Sequence, residues 1–248
     1  LQCPAGIVAT GAVCDFMGGY AAIGSHKDKS LQVILITPGN FSPFSTAEIE
    51  RAIGKYSEEE LQGVLLESFN KEAHQFLVLH LPNETFLYDG STQMWITLNS
   101  GYGRNKGKYQ GQHFIYNHKL GYTVTMNGIG ILNDDVASQN GNIQEFEAYT
   151  PFLEIVKGRG MVPLFNLSFD SIYGHTNEIQ TAFLSTTTNG FAYGENELRI
   201  EYNEPNKYMN KVILGSLGAV QHNIGFKLKC MSNAPVVWSD FSLQVGYA

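Results

Sequence analysis

The stretch QFLVLHLPNETFLYDGSTQMWITL, residues 75–98, decides the fold class. It contains three runs of β-branched, aromatic and aliphatic residues, and each run has the length of a strand. Pro82-Asn83-Glu84 separates the first two runs and Asp89-Gly90 separates the last two, and both are typical turn sequences. The stretch therefore predicts an antiparallel meander in which consecutive strands pair through short turns.

The same order of strand, polar turn and strand recurs on either side of this stretch. The predicted strands are residues 13–23, 31–37, 112–116 and 120–126, and the polar turns are residues 27–30 and 117–119. Repeated short meanders are typical of β-propeller blades. Because the spacing is irregular, a plain antiparallel meander is the alternative. We therefore predict an all-β fold whose first part, residues 1–138, is a partial, propeller-like antiparallel meander.

Residues 46–68 are predicted to form a short helical insertion in this meander. Two capping boxes mark its helices, with Ser45 and Ser57 as the caps and a glutamate three residues after each. Apolar residues follow the caps at helical spacing. They are Ile49, Ala52 and Ile53 in the first helix and Leu61, Val64 and Leu65 in the second. The acidic residues 58–60 suit a first helical turn, where carboxylates are stabilised by the helix dipole, better than a catalytic cluster.

The second part of the chain, residues 139–248, is predicted to be a β-sandwich or jelly roll. A polar stretch from Asn133 to Asn142 marks the boundary, and it does not match a calcium-binding loop. Beyond it, residues alternate between two faces, and about seven such strands fit two packed sheets. One predicted face carries Leu164, Asn166, Ser168 and Asp170, and the other carries Phe165, Leu167 and Phe169. Asn189-Gly190 predicts a hairpin turn.

The composition agrees with this fold and limits the partners. Charged residues make up only 16% of the chain, whereas Tyr and Phe number 13 and 15, which favours strands over helices. The net charge of −7 lacks the basic excess of a nucleic-acid-binding protein. If the protein lies near DNA, we therefore expect it to line or block the path of the DNA and not to bind a specific sequence. Its apolar runs are only strand-sized, so membrane insertion is not expected.

The three cysteines, Cys3, Cys14 and Cys230, lack metal-ligand spacing. We predict reduced, buried thiols, with a Cys3–Cys14 bridge as the alternative. The sequence starts at Leu1 with neither an initiator methionine nor a signal peptide, so we expect it to be a piece of a longer protein.

No catalytic, cofactor-binding or metal-binding residues are predicted. The histidines stand singly, without metal-ligand spacing. They are His26, His74, His80, His113, His118, His175 and His222. Residues 101–108 contain Arg104, Lys106 and Lys108 but not the Lys-Ser/Thr pair of a P-loop. They predict a mobile basic loop at a tip, which could contact a partner's acidic groups or a DNA backbone.

A group of acidic residues lies near the end of the chain. It consists of Glu195, Glu197, Glu201 and Glu204. Odd-numbered positions of a strand share one face, so we predict a solvated acidic edge, and such charges discourage unwanted strand pairing. A glycosidase pair of carboxylates is the alternative.

Several segments of the chain carry a family resemblance when they are taken in order. The segments are residues 49–66 with Tyr56-Ser57-Glu58-Glu59-Glu60-Leu61, residues 76–82 and 87–89 with Trp95, residues 184–190 with Tyr193-Gly194, and residues 203–205 and 224–229. Together they resemble the packaged-DNA stabilisation (tail hub, or tail accessory factor) proteins of short-tailed lambdoid bacteriophages. The resemblance covers most of the chain from about Thr46 onward, and the order of the segments is more specific than any one of them.

This resemblance implies the C-terminal portion of a structural virion protein that is not an enzyme and needs no cofactor. Such a tail hub closes the portal vertex, stabilises the packaged DNA and docks the tail needle and the tailspikes. The resemblance further implies a homo-oligomeric ring, expected to be a hexamer, that binds the portal adaptor. We expect the protein to be made in the host bacterial cytoplasm and to reside in the virion tail.

The residues themselves leave two other functions open. A glycan-binding β-sandwich would use exposed aromatic residues, and the candidates are Tyr102, Tyr109, Tyr173 and Tyr208. A glycoside or peptidoglycan hydrolase would use Glu197 and Glu201.

Overall fold

Strands dominate the computed structural model, which describes residues 5–26, 30–117, 119–155, 160–173, 180–194, 197–202, 209–232 and 234–246. The predicted all-β class is confirmed, and its helices are short segments. The chain forms two compact units: Leu1–Ser100 with Lys106–Asn133, and Gly101–Asn105 with Asp134–Ala248. The predicted domains, residues 1–138 and 139–248, stay a prediction that unfolding experiments can test.

The first unit contains three antiparallel sheets. The first sheet has β1 (Ala5–Ile7), β2 (Val13–Phe16), β3 (Gly19–His26), β4 (Gln32–Thr37) and β5 (Asn40–Pro43). The second has β6 (Leu65–Lys71), β7 (His74–His80), β8 (Thr85–Asp89), β9 (Met94–Ser100) and β10 (Gly107–Lys108), and the third has β11 (His113–Asn117), β12 (Leu120–Thr125) and β13 (Gly128–Leu132). The second and third sheets pair their strands in chain order, so the meander predicted from residues 75–98 is confirmed.

The helical insertion is shorter than predicted. α1 (Ala47–Ile53) begins after Thr46, whose hydroxyl accepts a hydrogen bond from Ile49 N–H, so the prediction of Ser45 as the cap is wrong. The Ser45 hydroxyl instead accepts a hydrogen bond from Val33 N–H, which ties the helix entrance to β4. The second capping box is confirmed, because Ser57 and Glu60 bond reciprocally at the start of α2 (Glu58–Leu61).

Residues after Leu61 are not helical, although their spacing predicts a helix through residue 68. Val64 is buried beside the strands and Leu65 begins β6, a strand that the sequence pattern did not reveal. Apolar residues three and four apart also occur where a buried coil segment leads into a half-buried strand. The helical residues that were predicted to form the buried stripe, Ile49, Ala52 and Ile53, do lie in the core.

The core of the first unit joins its first two sheets. Phe16, Phe44, Tyr88 and Trp95 form successive ring contacts with centroids 4.9–6.1 Å apart. The indole N–H of Trp95 donates to the carbonyl of Phe44 at 3.1 Å, so the polar end of this large side chain is satisfied. Such aromatic packing contributes beyond the burial of area alone.

The second unit is a two-sheet sandwich. One sheet contains β14 (Gln144–Tyr149), β15 (Leu153–Glu154), β17 (Gln180–Thr187), β18 (Leu198–Tyr202) and β20 (Asn223–Ser232), and the other contains β16 (Val162–Tyr173), β19 (Met209–Val220) and β21 (Val236–Val245). Side chains from both sheets share one buried cluster, with Phe169 on β16 and Phe226 on β20 fully buried. The predicted β-sandwich is confirmed.

Two local predictions for this unit are wrong. The strict alternation predicted for residues 164–170 fails because a β-bulge separates Leu164 from Asn166. The bulge turns Leu164 into the core and leaves Phe165 51% exposed. Asn189-Gly190 is not a two-residue hairpin turn, since β18 pairs with β17 only from Leu198 onward. Instead, the Asn189 carboxamide oxygen accepts two backbone N–H groups within a longer loop.

Candidate functional site

The predicted basic loop is not a free tip. Its backbone is held at two points, because Gly101 N–H donates to Gln144 Oε1 at 2.7 Å and Gly103 N–H donates to Glu145 Oε2 at 3.2 Å. Residues 107–108 then pair with β9 as β10. The prediction of a mobile loop is therefore corrected to a loop with fixed backbone anchors. Arg104 remains exposed and can still meet an acidic partner.

The predicted acidic edge can be judged at Glu197. Its carboxylate accepts two hydrogen bonds from the Lys229 ammonium, each at 2.7 Å, and therefore forms an ion pair. Glu195 and Glu204 lie outside the described residues, as does the side chain of Glu201 on β18. A carboxylate held by two hydrogen bonds from an ammonium group has its oxygens occupied by that partner and not directed at a substrate.

Lys229 and Lys227 lie side by side in an ordered array on the outer face of the sheet that contains β20. Lys227 pairs with Glu147 at 2.9 Å, and its ammonium lies 5.8 Å from the centre of the Tyr149 ring. Burial acts to lower the pKa of Lys227, but the hydrogen bond that it donates to Glu147 and the charges of Glu147, Tyr149 and Glu197 together outweigh burial, so the pKa is raised. Burial and the nearby Glu147 charge also raise the pKa of the Tyr149 phenol.

The raised pKa values of Lys227 and Tyr149 keep both of these groups protonated near neutral pH. General acid–base catalysis requires a group whose pKa lies near the working pH. Lys227 and Tyr149 are therefore suited to a polar, rigid surface and not to proton transfer.

A second polar cluster lies inside the first unit, and sequence reasoning missed it. Glu67 on β6 accepts His80 Nε2 at 2.7 Å, and His113 Nδ1 lies 3.5 Å from its other oxygen. The side chains of His80 and Glu67 are largely buried, so each satisfies the other's hydrogen bond. The three residues are far apart in sequence, and only strand pairing brings them together, so no local motif could have shown them.

The other described histidines, His74 and His222, do not lie in a cluster of potential metal ligands. His74 Nδ1 lies 2.9 Å from Asp89 Oδ2, and His222 is exposed. Among the described residues, no group of three or more His, Cys, Asp and Glu side chains could hold a metal ion. His118 and His175 and the side chain of His26 lie outside the description. That no site residue exists stays a prediction.

The proposed aromatic platform for a glycan is not assembled by the described tyrosines. Tyr102 is exposed, whereas Tyr109 stacks on Phe114 with ring centroids 5.9 Å apart and is mostly buried. Tyr208 and the side chain of Tyr173 fall in the part of the chain that is not described. A sugar-binding surface needs exposed rings side by side, and Tyr109 does not offer one.

The prediction of reduced, buried thiols can be judged at two of the three cysteines. Cys14 carries a free thiol but is only half-buried. Cys3, the partner in the alternative Cys3–Cys14 bridge, lies outside the described residues. Burial raises the pKa of Cys14 to about 12, which leaves it unreactive as a nucleophile at neutral pH. Cys230 is fully buried in the core of the sandwich.

None of the described helices has the length and apolar character needed to cross a bilayer.

Antiparallel meander sheets followed by a two-sheet sandwich place the chain in the class of two-domain, all-β proteins. One family model, described as Bacteriophage P22 Gp10, beta-propeller, matches residues 1–137, and another, described as Bacteriophage P22 Gp10, beta-sandwich, matches residues 145–246. The chain belongs to this Gp10 family of tail hub proteins from short-tailed phages.

A relative supports the same assignment. The tail hub protein gp10 of Salmonella phage P22 is 30% identical to this chain over an alignment of 249 positions. The alignment covers 97% of this chain and 51% of that protein. The chain therefore spans about half the length of this relative. The resemblance predicted from the ordered segments is confirmed.

Solved structures add no functional information. Two structures of an exo-β-1,3-galactanase from Phanerochaete chrysosporium, one with galactose and one a variant with β-1,3-galactotriose, are 8% identical to the chain. The matches cover 89% of this chain and 65% of each galactanase chain, with a TM-score of 0.20. A TM-score this low supports neither a shared fold nor a shared activity.

Proposed function

We propose that this chain is part of a tail hub that forms a homo-oligomeric ring, a hexamer, below the portal of a short-tailed phage. The observation that carries the proposal is the match to a tail hub protein along 97% of the chain, with both Gp10 domain models in order. Rings form when one surface of a subunit meets a different surface of the next and the rotation closes. The rigid sheets of both units suit such packing.

In this proposal the ring binds the portal adaptor above and the tail needle and tailspikes below. It closes the portal vertex and keeps the packaged DNA inside the head. The net charge of −7 supports a wall that repels DNA and does not grip it. The protein is synthesised in the host cytoplasm and becomes part of the virion tail.

The proposed role is structural and needs no cofactor. Support comes from the described candidates for catalysis, since Glu197 is held by Lys229 and burial raises the pKa of the half-buried Cys14 thiol to about 12. The test is a hydrolysis assay on host cell-envelope polysaccharide with wild type and Glu197→Gln. We expect no turnover by either protein; turnover that the substitution abolishes would show an enzyme.

Electron microscopy can test the hub role directly. The full-length protein is mixed with the purified portal–adaptor complex, and the same complex without it is the control. We expect an additional ring of density below the adaptor, with six-fold symmetry. In parallel, DNA-filled heads that lack the hub should become resistant to DNA loss when the protein is added. Failure of both observations contradicts the proposal.

A further inference from the structure

The third sheet of the first unit ends in an unprotected edge. β13 (Gly128–Leu132) pairs with β12, and no described strand pairs with its other side. Its sequence contains neither a charged residue nor proline, and its pairing with β12 continues without a bulge. Ile129 is 75% exposed and Ile131 is 60% exposed. Natural proteins normally protect edge strands with charges, proline, bulges or short length.

The other edge strands of the described sheets are protected or lie beside a neighbouring strand. β1 and β15 are short, β5 ends at Pro43, β10 has two residues, β2 carries Asp15, β6 carries Glu67 and Lys71, β14 carries Glu145 and Glu147, β18 carries Arg199, and β21 is bulged near Asp240. β19 carries Lys211 and has left-handed residues at Ser216 and Gly218 that break its regular course. β11 also lacks a charged residue and proline, but it lies beside β6, where its Phe114 ring stacks on Phe69 and His113 Nδ1 lies 3.5 Å from Glu67 Oε2. β13 has neither kind of protection, so its open side is suited to accept a strand.

The sheet that contains β13 has only one packed face. On that face, the Phe114 ring stacks on Phe69 of the second sheet with centroids 5.2 Å apart. On the opposite face, pairing aligns Ile115, Tyr122 and Ile131 in one row across the three strands. Ile115 and Ile131 are both exposed. An exposed apolar row continuous with an open edge marks a surface that is covered in the assembled protein.

We propose that β13 pairs with a further β-strand of the same polypeptide, contributed by the part of the full-length protein that lies outside this chain. Propeller blades normally have four strands, and the second sheet contains the four-stranded meander β6 to β9, whereas the third has three strands. The matched relative is about twice as long as the aligned region, so it contains enough sequence for additional blades. The added strand completes the blade and its neighbours cover the apolar row.

A tethered strand suits this edge better than a second copy of the chain. Two β13 strands would join five residues of each copy, whereas a stable interface buries about 800 Å² on each partner. A strand in the same polypeptide has a high effective concentration, so a short pairing suffices. The inference depends on membership of the Gp10 family and not on the proposed hub role.

Hydrogen exchange measured by mass spectrometry tests the proposal. The 248-residue chain and the full-length polypeptide that contains it are compared on peptides covering residues 127–132. We expect at least one backbone amide of β13 to exchange about tenfold or more slowly in the full-length protein, because a new strand accepts its hydrogen bond. No portal or adaptor protein is present, so failure of ring assembly would not affect the result.

A pair of variants sharpens the test. Ile131→Lys in the full-length protein places a charge at the covered edge and should restore fast exchange in β13. Val237→Lys is the matched control, because Val237 is an equally exposed strand residue of the sandwich, at 58%. It should leave the exchange of β13 unchanged.

Three results would overturn the proposal. Equal exchange of β13 in the two wild-type polypeptides would show that no strand is added. Protection in the 248-residue chain that grows with its concentration would identify a second copy as the occupant. A natural polypeptide of only these 248 residues would leave no segment to supply the strand. The comparison of the wild types decides the matter even if Ile131→Lys fails to fold.

Discussion

Both units consist mainly of β-strands, but their strands pair in different orders. In the second and third sheets of the first unit, every strand pairs with its neighbours in sequence through short turns. In the sandwich, β14 pairs with β20 and β16 pairs with β21, so partners lie many tens of residues apart. The comparison teaches that local turn chemistry specifies the first scheme, whereas the second depends on a shared core that forms only when distant segments meet.

Truncation in the sandwich core should give the largest effect. Phe169→Ala removes a fully buried ring that contacts Trp238 and Phe241. We expect the free energy of unfolding of the sandwich to fall by about 3–5 kcal/mol. Fluorescence of Trp238 in a Trp95→Phe background reports this transition in urea.

A matched control lies on the same strand. Phe165→Ala should cost far less, because the bulge leaves Phe165 half exposed. Equal losses in Phe165→Ala and Phe169→Ala would contradict the bulged register. We also propose that the predicted domains, residues 1–138 and 139–248, unfold separately, so Trp95 should report an unchanged transition in Phe169→Ala.

The fold was predictable where its determinants are local. The turns at Pro82-Asn83-Glu84 and Asp89-Gly90 and the cap at Ser57 are set by a few adjacent residues, and all are present as predicted. The bulge near Phe165 and the identity of β6 were not predictable, because they depend on which partner strand the segment meets. Alternation within one strand contains no information about a bulge imposed by its neighbour.

The same limit applies to the polar clusters. Glu67, His80 and His113 come from three strands, and Lys229 and Glu197 meet across a sheet, so neither arrangement leaves a sequence motif. The spacing of the residues matches no catalytic motif, and the absence of a catalytic site stays a prediction. The family was recognisable because several segments keep their order along the chain.

An intermediate effect is expected at the polar cluster of the first unit. Glu67→Ala leaves the buried His80 ring without its hydrogen-bond acceptor. We expect a loss of about 1–3 kcal/mol in the unfolding free energy reported by Trp95. Glu59→Ala, at an exposed position in α2, is the control and should change little. An unchanged transition in Glu67→Ala would show that the cluster adds nothing to stability.

A smaller effect is expected at the helix cap. Ser57→Ala removes the side-chain acceptor for Glu60 N–H at the start of α2. The expected loss is about 1 kcal/mol, again reported by Trp95. The corrected cap assignment is tested in parallel, because Thr46→Ala should likewise weaken α1 through the loss of its bond to Ile49 N–H. No effect of Thr46→Ala would contradict that assignment.

The smallest effect is a change in acid sensitivity of the first unit. Burial acts to raise the pKa of Asp89, but hydrogen bonds from Ser91 N–H, the Thr92 hydroxyl and His74 outweigh it and hold the pKa below its ordinary value. A lowered pKa in the folded state gives stability that is complete above the ordinary value of about 4 and is lost as the pH falls through the folded value.

Unfolding of wild type and Asp89→Asn between pH 7 and pH 2 measures this contribution. The Trp95 transition of wild type should weaken below about pH 4, and Asp89→Asn should remove part of that dependence. Trp238 should report the same pH profile in both proteins. Identical Trp95 profiles in the two proteins would refute a stabilising role for ionised Asp89.

The central claim is that the chain belongs to a structural hub in the tail of a short-tailed phage. Mass spectrometry of purified virions, combined with a reconstruction of their tails, tests it most directly. The account predicts peptides from both units in the virions, and six copies of the two β units in a ring between the portal adaptor and the tail needle. Virions that lack these peptides, or tails with no such ring, would contradict it.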